Sequence, residues 1–257
     1  IARYNMLSPG QPVLAALSGG ADSVALVCVR RALGYPLRAY HLNHCLRGAE
    51  SERDADFVRA LCARLDIPLT LEREDAAAYA AGRHESIETA ARALRYARLN
   101  RCAAQYGIAR IATAHTADDN LETMLFHLAR GTGTRGFAGI PPVRGAVIRP
   151  LWTATRAEIE QYLAESGQDF VVDSSNLSAD YTRNRIRQRV VPVLRDINPG
   201  CAGAASRLAA RLREDDETLC LLAEQALGQA DMAADVPLEA FRQPPAIQGR
   251  MLTALLR

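Results

Sequence analysis

The chain has 257 residues, of which 49% are hydrophobic and 23% charged, enough for one large domain or for a large and a small one. A net charge of +2 does not by itself indicate a nucleic-acid partner, and all 31 basic residues are arginine, which excludes a lysine nucleophile. No apolar run is long enough to span a membrane, so we expect no membrane association and a cytoplasmic location.

The six cysteines are widely spaced, and no two of them form a Cys-x-x-Cys pair. Several fall in apolar helical stretches, where a buried free thiol is expected. We therefore expect no disulfide framework and no zinc or iron–sulfur site.

Short apolar runs alternate with helical patterns over the first two thirds of the chain. The runs that predict strands are residues 13–17, 36–42, 68–71 and 108–112, and a short fifth strand closes at 149–151. Strands that alternate with helices predict an α/β fold, in which an open parallel sheet is covered by helices on both faces.

Helices are predicted between these strands. Ser51 followed by Asp54, and Thr155 followed by Glu158, are capping signatures that mark two helix starts. The predicted helices cover residues 51–65, 85–106, 115–128 and 155–166.

The last fifth of the chain differs in pattern. Proline and glycine at 198–200 suggest a boundary, and residues 202–230 and 238–256 have the periodicity of amphipathic helices. We expect a catalytic domain over 1–200, and a helical appendage or the start of a C-terminal domain over 201–257.

A glycine-containing hexapeptide joins the first strand to the first helix. In this setting, backbone N–H groups and a helix N-terminus form an anion site, and glycine permits close approach. The aspartate suits either a bound Mg²⁺ or a helix cap. It is not a Walker A loop, which requires a lysine. The candidate phosphate-binding residues are Ser18, Gly19, Gly20, Ala21, Asp22 and Ser23.

A second group of candidate residues follows the fourth strand. In the common strand order 3-2-1-4-5, this loop neighbours the hexapeptide across the crevice where strand order reverses. Asp119 and Glu122 share one helix face, and His115 precedes them. Such a cluster can hold Mg²⁺ or a substrate ammonium, whereas simple helix capping is the alternative.

Basic residues occur at two further places. His41, His44 and Arg47 follow the second strand; a histidine there is more often structural, whereas Arg47 suits a phosphate or RNA contact. The run from Arg183 to Arg189 contains four arginines and no acid. A helix cannot point all four the same way, so some must meet RNA, a triphosphate or the domain interior. A solvated helix face is the alternative.

Taken together, these motifs resemble the tRNA(Ile)-lysidine synthetase family, within the PP-loop or N-type ATP pyrophosphatase superfamily. The resemblance covers roughly residues 10 to 200. Thr116 stands where the family often has a second histidine. The matching motifs are the hexapeptide, His41-x-Asn43-His44-x-Leu46-Arg47, Arg92-x-x-Arg95-Tyr96, Ala114-His115-x-x-Asp118-Asp119-x-x-Glu122-Thr123, Arg130-Gly131-x-Gly133, Asp173-x-Ser175-Asn176 and Arg183-Asn184-x-x-Arg187.

The resemblance implies an adenine nucleotide alpha hydrolase-like, Rossmann-like fold and a ligase that forms a carbon–nitrogen bond. ATP would adenylate the wobble cytidine of an isoleucine tRNA with a CAU anticodon. Free L-lysine would then displace AMP and form lysidine, which changes the codon read from AUG to AUA. The implied cofactors are ATP and Mg²⁺, and a homodimer is left open.

The resemblance also implies roles for five residues. Asp22 would help to place Mg²⁺ beside the phosphates, and His115 would line the α-phosphate. Asp119 and Glu122 would bind the positive charge of lysine, and Arg187 would face the lysine carboxylate or the developing phosphate charge.

Two alternatives remain. A related PP-loop enzyme thiolates a tRNA cytidine, but it carries Cys-x-x-Cys where this chain has Glu88-Thr89-Ala90-Ala91-Arg92. A non-catalytic nucleotide-binding regulatory protein would need the hexapeptide, but not Asp119, Glu122 or the arginine run.

Overall fold

Strands and helices alternate as the sequence predicts, and the strands form one sheet. The computed structural model describes residues 1–172, 182–228 and 242–256. Within them the sheet has the order β3-β2-β1-β4-β6-β5, and every pairing is parallel except that of β5 with β6. The strands are β1 (Val13–Ala16), β2 (Leu37–Asn43), β3 (Leu69–Arg73), β4 (Ile111–Ala112), β5 (Val143–Arg144) and β6 (Val147–Ile148).

Helices cover both faces of this sheet, which confirms the predicted fold class. The N-terminal helices are α1 (Ala21–Ala32), α2 (Ala49–Arg64), α3 (Ala76–Ala81), α4 (Ile87–Gln105), α5 (Ala117–Arg130), α6 (Thr134–Phe137) and α7 (Arg156–Glu165). Those that follow are α8 (Thr182–Arg185), a π-helical turn (Ile186–Val190), α9 (Val191–Ile197), α10 (Cys201–Leu227) and α11 (Pro245–Leu255).

The core divides into two layers because side chains on a strand alternate between faces. Val13 and Ala15 of β1 pack with α1, α2 and α7. Leu14, between them, packs on the other face with residues of α3 and α4. All three strand residues have no exposed surface, as expected for a parallel sheet buried on both faces.

The edge of the sheet differs from the prediction. The fifth parallel strand is β6, which ends at Ile148, and residues 149–151 form a turn after it. The edge strand β5, antiparallel to β6, was not predicted. Each strand of this hairpin has only two residues, too few to show alternation in the sequence.

One capping prediction is wrong and another is confirmed. Helix α2 begins at Ala49, so Ser51 lies inside it; the Ser51 hydroxyl accepts a hydrogen bond from the Arg47 N–H at 3.2 Å. Asp54 is buried and binds arginine side chains rather than a helix cap. Thr155 and Glu158 form the predicted capping box of α7.

Helix α10 packs against the sheet domain through its first half. Ala209 and Ala210 contact the cluster formed by Met124 of α5 and Trp152. Its second half packs against α11 in a separate cluster. The domain boundary near residue 200 stays a prediction. Within the described ranges, no helix is both long enough and apolar enough to cross a membrane.

The Arg213 side chain joins α10 to the sheet domain. Its guanidinium donates to the carbonyl oxygens of Ala138 and Ile140, the latter at 2.7 Å, and lies 4.8 Å from the centre of the Trp152 ring. Burial lowers the pKa of Arg213 to about 10, so the group is still charged at neutral pH.

Replacing Arg213 with methionine should therefore lower the free energy of unfolding by about 1–3 kcal/mol, since two carbonyl groups lose a charged donor. Urea denaturation measures this change. Arg207→Met, on an exposed position of the same helix, serves as the control and should have little effect. Equal effects of the two replacements would show that Arg213 does not hold the helix.

Candidate active site

The hexapeptide forms a tight loop between β1 and α1. The Ser23 hydroxyl accepts from the N–H groups of Ser18 and Gly19 at 3.1 and 3.2 Å, and donates to the Gly20 carbonyl at 2.9 Å. Gly19 has φ +97°, a conformation that favours glycine. Its carbonyl accepts from the Val171 N–H at 2.9 Å. Because these bonds lie within the protein, the loop keeps its shape without a ligand.

The donors available for an anion lie at the start of α1. Among the described residues, no side chain caps this helix at Gly20, and the first N–H groups of a helix have no partner within it. These are the N–H groups of Ala21, Asp22 and Ser23. The first turn of α1 therefore has the N–H donors and the positive dipole end that suit a phosphate group.

Asp22 supplies the carboxylate of the hexapeptide, and one of its oxygens lacks a hydrogen-bond partner among the described residues. This oxygen, Oδ1, is buried. Burial, together with the nearby Asp119, raises the pKa of Asp22 to about 6, although Arg156 and Arg187 oppose this shift. A buried carboxylate without a partner is a fitting ligand for a cation.

Mg²⁺ fits this position only with help from a nucleotide. Across the described ranges, no group of three or more histidine, cysteine, aspartate or glutamate side chains is arranged to hold a metal. Mg²⁺ is commonly held by one or two carboxylates, with water and phosphate oxygens completing the coordination. Asp22 would hold it in that manner.

The loop after β4 ends in a capping box that opens α5. The Thr116 hydroxyl accepts from the Asp119 N–H, and Oδ2 of Asp119 accepts from the N–H and the hydroxyl of Thr116 at 2.9 and 3.1 Å. The capping alternative is therefore real for this oxygen of Asp119. It also gives Thr116, where the family often has histidine, a clear structural role.

Asp119 and Glu122 are both paired with arginine. Oδ1 of Asp119 lies 3.0 Å from Nη2 of Arg183. Glu122, only 3% exposed, accepts from Nε of Arg183 at 3.0 Å and from Nε and Nη2 of Arg187 at 2.6 and 3.0 Å. Two carboxylates and two guanidinium groups thus form one balanced, largely buried network.

This network shifts the pKa values of its members. Burial acts to raise the pKa of Asp119, but the attraction of Arg183 and Arg187 and a hydrogen bond from the Thr116 backbone outweigh it and lower the pKa overall. Burial acts to lower the pKa of Arg187, but its bonds to Glu122 raise it. Both groups are therefore charged at neutral pH.

His115 lies at the entrance to α5 and is neutral. Its Nδ1 lies 3.0 Å from the Thr113 hydroxyl. Burial lowers the pKa of His115, and the nearby Arg149 and Arg95 add to this effect while Asp119 opposes it. A neutral imidazole can donate or accept a hydrogen bond without adding charge.

The predicted residues come together at one edge of the sheet. β1 pairs with β4, so the loops that follow these strands are neighbours. Asp22 is close enough to Asp119 and Arg187 for each to shift its pKa. The crevice predicted from strand order therefore contains the phosphate loop, the acidic pair, His115 and Arg187.

Other predicted residues have structural partners. His41 is buried, with Nδ1 2.8 Å from the Leu17 carbonyl. Arg47 pairs with Asp54 at 2.8 Å. In the arginine run, Arg185 and Arg189 are exposed, whereas Arg183 and Arg187 face α5. The polar loop at 173–176 lies outside the described residues.

Two residues beside the candidate site were not given roles from the sequence. Asp118 accepts from the backbone N–H of Arg156, at the start of α7, at 2.7 Å, and from Arg195 of α9 at 2.6 Å. Arg183 binds both acids. Its position four residues before Arg187 is the signal that could have identified it, because such residues share a helix face.

These features define an α/β protein with a glycine-containing loop and an open helix N-terminus where the strand order of a parallel sheet reverses. Residues 2–194 match the family model of the PP-loop domain. The chain therefore belongs to the PP-loop domain family, a match that implies ATP binding.

Curated relatives are similar over most of the chain. A tRNA(Ile)-lysidine synthase from Parabacteroides distasonis is 44% identical over 91% of this chain and 54% of its own length. One from Dehalococcoides mccartyi is 40% identical over 100% of this chain and 58% of its own length. The chain spans about half the length of the curated relatives it matches.

Solved structures support the fold. A U34-tRNA thiolase from Methanococcus maripaludis, solved with its [4Fe-4S] cluster, superposes with a TM-score of 0.65 at 18% identity, covering 82% of this chain and 74% of its own. At this identity the likeness concerns the fold alone.

Asp22 generates a prediction about pH. Its pKa is about 6 in the folded chain and 3.8 ordinarily, so ionisation of the carboxyl disfavours folding. In the absence of nucleotide, the contribution of Asp22 to the free energy of unfolding should fall as the pH rises through 4 to 6. His44 and His115, whose pKa values are lowered, contribute in the opposite direction, so the effect of Asp22 is measured as the difference between the native chain and Asp22→Asn.

Asp22→Asn should therefore be more stable than the native chain at pH 8, by about 1–3 kcal/mol, and about equal at pH 4. Urea denaturation at the two pH values measures both differences. Asp56→Asn, which changes an exposed carboxylate on α2, is the control. A variant no more stable than the native chain at pH 8 would contradict the raised pKa.

Proposed function

We propose that this chain is the catalytic part of an enzyme that joins lysine to the wobble cytidine of an isoleucine tRNA with a CAU anticodon. The observation that supports this most directly is the meeting of Asp22, Asp119, Glu122 and Arg187 in one crevice beside a phosphate loop. The similarity to tRNA(Ile)-lysidine synthases over most of the chain supports the same function.

ATP would supply the adenylyl group that activates the cytidine oxygen, with pyrophosphate as the leaving group. The ε-amine of lysine would then attack the activated carbon, and AMP would leave. The first turn of α1 would hold the phosphates, and Asp22 would hold Mg²⁺ against them. Such a reaction depends on positioning and charge stabilisation, so it needs no protein nucleophile.

Asp119 and Glu122 would bind the positive charge of lysine. Both acids are already paired with guanidinium groups, so a substrate ammonium must replace one of these contacts. Exchange of one cation for another leaves the charge of the buried site unchanged, which keeps the cost of the exchange low. A displaced arginine would be free to bind the lysine carboxylate or a phosphate, the role assigned to Arg187.

His115 would line the α-phosphate as a neutral hydrogen-bonding group. Because burial and neighbouring arginines lower its pKa, it would hold a phosphate oxygen by a hydrogen bond rather than by charge. The cytoplasmic location and the homodimer stay predictions.

The alternative of cytidine thiolation has less support. All six cysteines are free, and within the described ranges no group of side chains including cysteine is arranged to hold a metal. The regulatory alternative makes a different prediction, since such a protein would bind ATP without consuming it in the presence of tRNA.

The decisive experiment combines ATP, labelled lysine and the isoleucine tRNA. We expect label in the RNA, dependent on ATP. Asp119→Ala should abolish this transfer, because a buried contact for the ammonium is lost, while ATP binding stays measurable. The measurements are label retained in RNA and equilibrium binding of ATP.

Asp56→Ala provides the matched control, since Asp56 is exposed on α2. If Asp119→Ala loses ATP binding instead, the proposed role of Asp119 is wrong. If the native chain transfers no label, the proposed function itself is wrong.

Arg185 and Arg189 generate a second prediction. Both are exposed on the helix whose other arginines bind the acidic pair, so they suit an RNA backbone near the crevice. Their joint replacement by alanine should weaken tRNA binding and reduce the slope of log affinity against log salt by about 1–2. Binding titrations at several salt concentrations measure both changes.

The control for this pair removes two other exposed arginines, Arg31 of α1 and Arg59 of α2. This control variant changes the net charge by the same amount as the Arg185 and Arg189 variant, and it should weaken tRNA binding less. Unchanged affinity in the Arg185 and Arg189 variant would mean that these residues form a solvated helix face.

A further inference from the structure

A second group of polar side chains lies near His115, separate from the acidic pair. His44 follows β2, Arg149 follows β6, and Arg92, Arg95 and Tyr96 lie on α4. Arg149, Arg95 and Arg92 all act on the pKa of His115, and Arg95 acts on that of His44. The carboxyl ends of three strands and one covering helix therefore bring these five residues to the same crevice.

Three of these residues have buried polar atoms without a partner. They are Nδ1 of His44, the hydroxyl of Tyr96 and Nε of Arg149, and none makes a well-aligned hydrogen bond within the described part of the chain. Tyr96 and Arg149 nevertheless lie close enough for Tyr96 to raise the pKa of the guanidinium, against the larger lowering by burial. Arg149 is only 4% exposed, and its Nη1 donates to the Pro141 carbonyl at 2.6 Å. A buried polar atom without a partner costs about 1–3 kcal/mol, so three beside one crevice indicate that a ligand supplies the partners.

The charge of this group is also uncompensated. Elsewhere in the chain, arginines such as Arg98 and Arg195 pair with carboxylates. For Arg92, Arg95 and Arg149, the described residues provide no hydrogen bond or ion pair to a carboxylate. Arg92 and Arg95 instead lie 5.1 and 5.7 Å from the centre of the Tyr96 ring. Arg95 and Arg149 are partly or fully buried, whereas Arg92 is exposed at the rim. Buried guanidinium groups without an acid attract an anion.

We propose that His44, Tyr96 and Arg149, with Arg92 and Arg95 beside them, form a subsite for an oxyanion of the substrates. Nε of Arg149 and the Tyr96 hydroxyl would donate to the oxyanion, and His44 would complete the lining. This assignment of the ligand rests on the proposed function: the subsite would receive either a nucleotide phosphate or the carboxylate of lysine. The two anions share the chemistry that the subsite recognises, and the experiment separates them.

Tyr96→Phe is the sharpest test because it removes only the unpartnered hydroxyl. Its stability should equal or slightly exceed that of the native chain, whereas binding of the anion should weaken about 10-fold, the usual value of a hydrogen bond to a charged group. Calorimetric titration with AMP, L-lysine and 1,5-diaminopentane measures the binding. A phosphate subsite predicts weaker AMP binding; a carboxylate subsite predicts weaker lysine binding, with 1,5-diaminopentane unaffected.

Tyr40→Phe is the matched control. The Tyr40 hydroxyl donates to Glu72 at 3.0 Å, so this variant should lose stability and keep its affinity for both ligands. Arg149→Lys, which keeps the charge but loses Nε, provides a second variant. It should lower the binding affinity for the same ligand that Tyr96→Phe affects.

Unchanged affinity for both AMP and lysine in both variants would overturn the subsite, and so would a native chain that binds neither. These titrations contain no RNA and require no turnover. A chain that makes no lysidine, yet loses AMP affinity on Tyr96→Phe, would refute the proposed function while retaining the subsite.

Discussion

The parallel pairing of β1 with β4 determines where the crevice forms. Leu14 lies beside Ile111 and Ala15 beside Ala112, so the two strands end at the same edge. α1 and α5 therefore begin near each other, and each presents a positive dipole end. The N–H groups open to a ligand are those of α1, because a capping box occupies the start of α5. A crevice between two such helix starts favours anions. Asp119 keeps a low pKa despite burial chiefly because Arg183 lies beside it, and a hydrogen bond from the Thr116 backbone adds to this effect.

The buried Glu122 links the end of the family domain to its centre. It lies on α5, whereas its partners Arg183 and Arg187 lie more than sixty residues later. Removal of both guanidinium groups would leave a buried charge unpaired, a cost of several kcal/mol. The helix from α8 to α9 therefore stays on α5 unless another cation replaces an arginine. Its π-helical turn, a feature frequent at functional sites, spans Arg187.

Local sequence patterns predicted most of the fold and the two loops that form the site, but not the contacts between distant segments that complete it. The phosphate loop and the acids on α5 were found because strand–loop–helix order and a spacing of three residues are visible in sequence. The pairing of Arg183 with Asp119 was not found, since contacts between distant segments leave no local pattern. The prediction that Ser51 caps α2 was wrong for a related reason. Its hydroxyl accepts a hydrogen bond from the Arg47 N–H, a contact that exists only in the folded turn at Gly48.

Asp119 shows why capping and function need not be alternatives. One carboxylate oxygen completes the capping box with Thr116, and the other faces Arg183. The first contact fixes the direction of the second, because a side chain held by its own helix start cannot turn away. Among the described residues, Glu122 has no such tie to the backbone, and the contacts that orient it come from Arg183 and Arg187. When a ligand displaces an arginine, the Asp119 side chain would therefore keep its orientation, whereas the Glu122 side chain could adjust. Asp119 is thus the more rigid member of the acidic pair.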